Sequence, residues 1–298
     1  MKYFTIIFTI SCWIWSCSES EELIPSNKQD NYFEVPTDAT DMESIYRKEF
    51  FKNTGAYLLY NDTLRHELLG EDRYGNQVFF TETVDLSWTL NENSSIKYLF
   101  TYLKSWEEKQ IAGDFVQDAI LTCFSSQASP YSILLVDSIS SWGKNGDYGD
   151  YFVKEADIRF YIGTRCTALA MHHLLEMTEN EKTNLAQQII LNIIMSSLPN
   201  YQGDLMKAYD SYANNRYGSY LFYLPTGTDV RDLGFLHTLI SYGSEICPSK
   251  TQDLEMYLEL IFTQTTEEIN NTYKDFPAII AKYKLLQEIL KDMGINLK

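Results

Sequence analysis

Histidine and cysteine are scarce in this 298-residue chain, which has four of the first and five of the second. Cys12 and Cys17 lie in the N-terminal segment, so only Cys123, Cys166 and Cys247 remain for a folded body. That odd set has no metal-ligand spacing, which excludes a cysteine-built zinc module and assigns no disulfide. Positive charge is also in short supply, with 24 Lys and Arg against 41 Asp and Glu and a formal charge of -17. No Lys/Arg cluster of useful length occurs, which argues against nucleic acid as a partner. The chain lacks an apolar run long enough to span a bilayer, because residues 3–15 fall short of the ~20 needed. Disorder is not expected either, since 45% of residues are hydrophobic.

What is present begins with those first residues. Met1 and Lys2 precede the apolar run, as in a secretory signal. The run closes on Ile14-Trp15-Ser16-Cys17, which resembles a bacterial lipobox, with Cys17 as the lipidated residue. Ser18-Glu19-Ser20-Glu21-Glu22 follows and is similar to the acidic tract of lipoproteins exported to the outer face of the outer membrane in Bacteroidetes. The expected organisation is a signal over residues 1–17, an acidic tether over 18–37 and one domain over 38–298. Acyl chains on Cys17 would hold that domain at the membrane without a transmembrane helix.

Within the domain, residues 41–52 carry Ile45, Phe50 and Phe51 and predict a helix, ended by Asn53-Thr54-Gly55. AYLLY at 56–60 and YSILLVDS at 131–138 read as buried strands, and residues 78–88 and 152–162 as extended segments. Residues 61–76 read as a polar loop, where His66-Glu67 has no second histidine four residues on. Residues 95–109 place Ile96, Leu99, Phe100, Leu103 and Trp106 at helical spacing and predict a helix, as do residues 115–123, 182–197, 250–268 and 276–291. Residues 198–228 are rich in Tyr, Asn and Gly, a candidate cleft wall or insertion carrying Tyr201, Tyr209, Tyr212, Tyr217, Tyr220 and Tyr223. His237 reads as a histidine in an apolar helical context. The order of helices, strands and helices indicates an α+β fold with a mostly helical C-terminal half.

The densest set of potential metal ligands lies in residues 165–180, RCTALAMHHLLEMTEN. Leu169, Ala170, Leu174 and Met177 recur at helical spacing and predict one helix, on which His172 and Glu176 would share a face. Zinc peptidases use H-E-x-x-H on a helix, with two histidine ligands one turn apart and a general-base Glu after the first. Here the segment reads H-H-x-x-E. A polar helix face satisfied by hydrogen bonds explains the same residues.

Four stretches carry a wider resemblance: the first helix followed by GAYLLYND; YSILLVDS with the extended pair after it; LGFLHTLISYG, similar to a GF-x-T-x-YA segment; and DFPAIIAKYKLLQEILKDMGINL, similar to a closing helix that ends in GIDL. Together they resemble the zinc-binding metallopeptidase lipoproteins of Bacteroidetes, the substrate import-associated zinc metallohydrolase group found beside outer-membrane glycan-uptake systems. The resemblance implies a zincin-like fold of the gluzincin type, with two histidine ligands from one helix and a carboxylate from a later one.

At the positions that matter, this chain departs from the family. His173 stands where the base Glu belongs, and Glu176 where the second His belongs. The family's later acidic pair falls on Gln252-Asp253, with Glu255 or Glu245 as alternatives in a shifted alignment. Zinc is the implied cofactor, and changing base and ligand together predicts that it is lost. The favoured function is therefore a pseudoenzyme, a cell-surface accessory module binding a glycan, a peptide or outer-membrane uptake proteins. The alternative is an active metal-dependent hydrolase with His172, Glu176 and Glu255 as ligands and His173 as base.

Overall fold

A computed structural model of the chain describes residues 31–84, 96–144, 151–163 and 165–296. The signal segment, Cys17 and the acidic tether up to residue 30 lie outside the described residues, as do residues 85–88 of the second extended segment and Leu297 of the ending. The chain divides into Met1–Tyr32, of which only Asn31 and Tyr32 are described, and the body Phe33–Lys298. Among the described residues no helix is long and apolar enough to cross a membrane.

The body is mixed α and β. Its centre is strand β5 (Ser132–Val136), flanked by β1 (Tyr57–Leu59) and β9 (Thr167–Ala170), both parallel to it, with β8 (Phe160–Ile162) antiparallel on the outer side of β9. The unbroken apolar run of β5 suits a strand covered on both faces. Its side chains alternate accordingly. Ile133 and Leu135 enter a large core with the helices, while Leu134 and Val136 enter a second core with Phe33, Leu59, Ile139 and Ala168. The second core is roofed by an antiparallel sheet of β4 (Ile96–Thr101), β6 (Ser138–Lys144) and β7 (Phe152–Ile158). A two-stranded hairpin, β2 (Thr63–Glu71) with β3 (Gln77–Thr83), leaves Leu68, Leu69, Phe79 and Phe80 exposed.

Helices α1 (Met42–Thr54), α2 (Trp106–Phe115) and α3 (Glu179–Ser197) contribute to the large core, as do α4 (Asp204–Ser211), α5 (Lys250–Thr263), α6 (Thr266–Thr272) and α7 (Pro277–Asp292). Beyond α3 the only strands among the described residues are the small hairpin β10 (Leu239–Ser241) and β11 (Ser244–Ile246). Helix α1 starts at the Asp41 cap and ends at Gly55, whose φ of 76° is the left-handed C-cap glycine favours.

Several readings of the sequence change, and the single helix expected over residues 250–268 is two, α5 and α6, broken at Gln264. Residues 95–109 form no single helix: β4 pairs with β6 from Ile96 to Thr101, and α2 begins only after the Ser105 cap. Tyr98 and Phe100 pack against the second core, while Leu99, which supported the helical spacing, is exposed. Cross-strand pairing decided what a short apolar pattern left ambiguous. Residues 61–76 are mostly strand, so His66 lies on β2, stacked on Phe79 and paired with Thr81 Oγ1 at 2.7 Å. His237 lies on an exposed loop before β10 rather than in a helix.

Helices α2, α3 and α6 share one starting device: Ser105 with Glu108, Thr178 with Glu181, and Thr265 with Glu268 form reciprocal capping boxes. Backbone N–H groups at the caps hold the three glutamates below the ordinary carboxylate value of 4.5. A lowered folded-state pKa contributes stability that is present above the unfolded value and lost as pH falls through the folded one. The melting temperature is therefore expected to decline as pH drops below about 4.5, followed by circular dichroism. A triple Glu→Gln variant at 108, 181 and 268 keeps the caps without titrating, as Gln252 does naturally on α5. It should flatten the decline, and an unchanged slope would assign the acid sensitivity to other groups.

Candidate functional site

Strands β5 and β9 end side by side, and the carboxyl edge of parallel strands is where α/β sheets build sites. Asp137 follows β5, with its N–H donated to Thr101 O at 2.8 Å. His172 and His173 follow β9. The predicted helix over residues 165–180 is therefore absent: Thr167 to Ala170 is a fully buried strand, Leu174–Glu176 is one 3₁₀ turn, and α3 begins only after the Thr178 cap. A short, continuously apolar run fits a strand as well as a helix, and pairing with β5 settled it.

The turn is pinned from inside. Met171 and Leu174 are buried, with Met171 N–H donated to Val136 O and Leu174 N–H to Met171 O. His172 and His173 between them face outward, about half exposed at 53% and 54%. Closing so tight a turn puts His173 at φ 60°, ψ 16°, the left-handed region that a residue with a Cβ seldom occupies. His172 Nδ1 lies 3.2 Å from Asp137 Oδ1, and His173 Nδ1 lies 2.8 Å from Glu176 Oε2. The two imidazole centroids are 3.7 Å apart. A pocket of about 240 Å³ opens beside them, lined also by Leu103, Glu108 and Ile111 of the α2 region. Glu108 is occupied there, since Oε2 accepts the N–H groups of Lys104 and Ser105 at 2.9 Å each.

The expected ligand set is not assembled. His172 and Glu176 do not share a helix face, because Glu176 turns back to His173 and His172 reaches Asp137. Glu255 is exposed on α5, which packs on α3 and α7, and Glu245 is exposed on the β10–β11 hairpin. Among the described residues no three His, Cys, Asp or Glu are grouped so as to hold a metal ion. Zinc held by His172, Glu176 and a later carboxylate does not fit these side chains as they stand, nor is His173 set beside such an ion as its base.

The Gln252-Asp253 pair serves the fold. Gln252 caps α5 by accepting from Ser249. Asp253 is fully buried, and its Oδ2 accepts from Lys282 Nζ at 2.6 Å, Tyr209 OH at 2.9 Å and Tyr217 OH at 3.2 Å. Lys282, equally buried, also donates to Gly234 O at 2.9 Å, and the rings of Tyr209, Tyr257, Phe235 and Tyr217 surround its ammonium at 4.5 to 5.8 Å. Burial raises the pKa of Asp253 and lowers that of Lys282, and each is drawn back by the other's charge. With no exposed surface at either group, the cluster ties α4, α5, α7 and the Gly234 loop together and admits no substrate. The sequence carried one signal of it: Lys282 sits on the apolar stripe of α7 with Ile279, Leu286 and Ile289.

The tyrosines of residues 198–228 line no common cleft. Tyr209 and Tyr217 belong to the Asp253 cluster, Tyr201 donates to Asp292 at 2.6 Å, and Tyr220, Phe222 and Tyr223 form a separate surface group with Phe222 and Tyr223 well exposed. A larger pocket of about 400 Å³ lies at the opposite, amino edge of β5 and β9, lined by Tyr131, Arg165 and Cys166 but by no histidine or carboxylate. Burial pushes the Cys166 thiol up to about 11, so it is no ready nucleophile. Compared with family models, curated proteins and solved structures, the chain matches none.

Proposed function

We propose that this chain is a lipid-anchored accessory module at the bacterial outer-membrane surface, held through Cys17, that descends from zincin-like metallopeptidases and binds rather than cuts. Its ligand is a glycan or peptide handled by a neighbouring uptake system. The pseudoenzyme reading rests on one observation: each polar group at a family ligand or base position already has a structural partner. His173 is closed on Glu176, Gln252 caps α5, and Asp253 neutralises Lys282. A hydrolytic zinc site needs three ligands, an open position and a base beside it. The lipoprotein and surface assignments rest on the N-terminal sequence.

The test restores the motif. The full chain carrying His173→Glu and Glu176→His regains the letters of H-E-x-x-H, yet the segment remains a strand and turn without a third ligand. Neither it nor the wild type is expected to retain stoichiometric zinc after chelator treatment, nor to turn over a peptide library. Chelator-resistant zinc that His172→Ala removes would overturn the pseudoenzyme reading in favour of a hydrolase with atypical ligands.

A further inference from the structure

The two adjacent histidines hold more chemistry than a relic requires. Each has its Nδ1 against a carboxylate, His172 on Asp137 across the β5–β9 edge and His173 on Glu176 within the turn. His173 Nδ1 stands 2.8 Å from Glu176 Oε2 without hydrogen-bond geometry, whereas His172, with its Nδ1–H donated to Asp137, has its lone pair fixed on Nε2. That is how proteins orient and enrich a metal-ligating imidazole. The rings are in contact and about half exposed, so an ion in solvent can reach either of them. Two carboxylates behind them add negative charge that favours a cation. His173 keeps its left-handed backbone where a glycine would fit without strain.

We propose that His172 and His173 form a two-imidazole site for an exchangeable divalent transition ion of the imidazole-preferring class, with Cu(II) the strongest binder, in which Asp137 orients His172, Glu176 adds negative charge beside His173, and neither carboxylate is a ligand. The ligand set differs from a gluzincin one: both nitrogens come from neighbouring residues in a turn, and Glu176 stands behind a ring. Two protein ligands leave the remaining positions to water, so the ion is held reversibly, and Cu(II) leads because it heads the affinity order for nitrogen sites. The proposal does not depend on which polymer the module binds, and it is compatible with the absence of chelator-resistant zinc.

Only four histidines exist in the chain, which makes imidazole NMR a direct readout. In the tag-free full chain, long-range ¹⁵N–¹H spectra should show His172 as the Nδ1–H tautomer. Substoichiometric CuCl₂ should then broaden the signals of His172 and His173 while those of His66 and His237 persist. Calorimetry should give one ion per chain, lost in the His172→Ala/His173→Ala variant. Asp137→Asn is expected to weaken binding about 10- to 100-fold while both rings remain. Both substituted rings are surface groups, so folding is preserved, which the unshifted His66 and His237 signals verify. Equal broadening of all four histidines, Cu(II) uptake unchanged in the double variant, or an Nε2–H tautomer of His172 would overturn the proposal.

Discussion

Lys282→Ala is expected to destabilise the body by about 3–5 kcal/mol, because it leaves the Asp253 carboxylate buried with no cation. Three donors converge on Asp253 Oδ2, and the lysine is the only charged one. Its Oδ1 has no hydrogen-bond partner among the described residues, so no protein group there takes over the charge. At roughly 2–4 °C per kcal/mol for a domain of this size, the loss should appear as a fall in melting temperature on the order of 10 °C. The effect carries a pH signature. Without Lys282, the folded-state pKa of Asp253, already raised by burial, rises further. A raised carboxylate pKa gives full stability below the unfolded value and loses it as pH rises through the folded one. The gap between variant and wild type should therefore be widest at neutral pH and narrow in acid. An apolar pair, Asp253→Leu with Lys282→Met, should recover much of the loss, since well-packed apolar replacements of buried ion pairs are often neutral. A Lys282→Ala variant within about 1 kcal/mol of wild type, the range of an exposed ion pair, would show that the pair does not hold the helices together.

That cluster also marks where sequence reading stops. Helices α1, α3 and α7 are legible because capping or terminal residues bracket apolar spacing, as with Asp41 and Gly55 around α1. AYLLY and YSILLV are legible as strands because their apolar runs are short, unbroken and bounded by turn residues. Residues 95–109 and 165–180 are not, since their apolar positions satisfy both periods and the choice rests on partners distant in sequence: β6 for the first, β5 for the second. The candidate site shows the same division. The concentration of His172, His173 and Glu176 is visible in the letters, but the partner of His172 is Asp137, 35 residues earlier, joined to it only by the parallel pairing of β5 with β9. Lys282 and Asp253 are 29 residues apart on two helices, and no local spacing joins them. The lysine's place on an apolar stripe was the one local hint.

The second large effect is expected in the strand that carries Asp137. Leu134→Ala and Leu135→Ala should each cost about 2–5 kcal/mol, the range for a fully buried leucine whose surroundings collapse only in part. Adjacent residues on a strand point to opposite faces, so equal severity at both requires a core on each side. Leu135 packs with the helices and lies opposite Leu169, while Leu134 lies between Leu59 and Ala168 and faces the roof formed by β4 and β6. Urea unfolding measures both losses, with Leu69→Ala on the exposed hairpin expected to stay within about 0.5 kcal/mol as a control. A mild Leu134→Ala beside a severe Leu135→Ala would mean that the three-stranded roof contributes little. Local geometry supplies a second readout. Val136 O receives the Met171 N–H and Asp137 N–H reaches Thr101 O, so the end of β5 fixes how far the carboxylate stands from His172. Either leucine variant, though remote from solvent, is therefore expected to shift the His172 imidazole resonance, because the same sheet that buries the two cores sets the spacing of that pair.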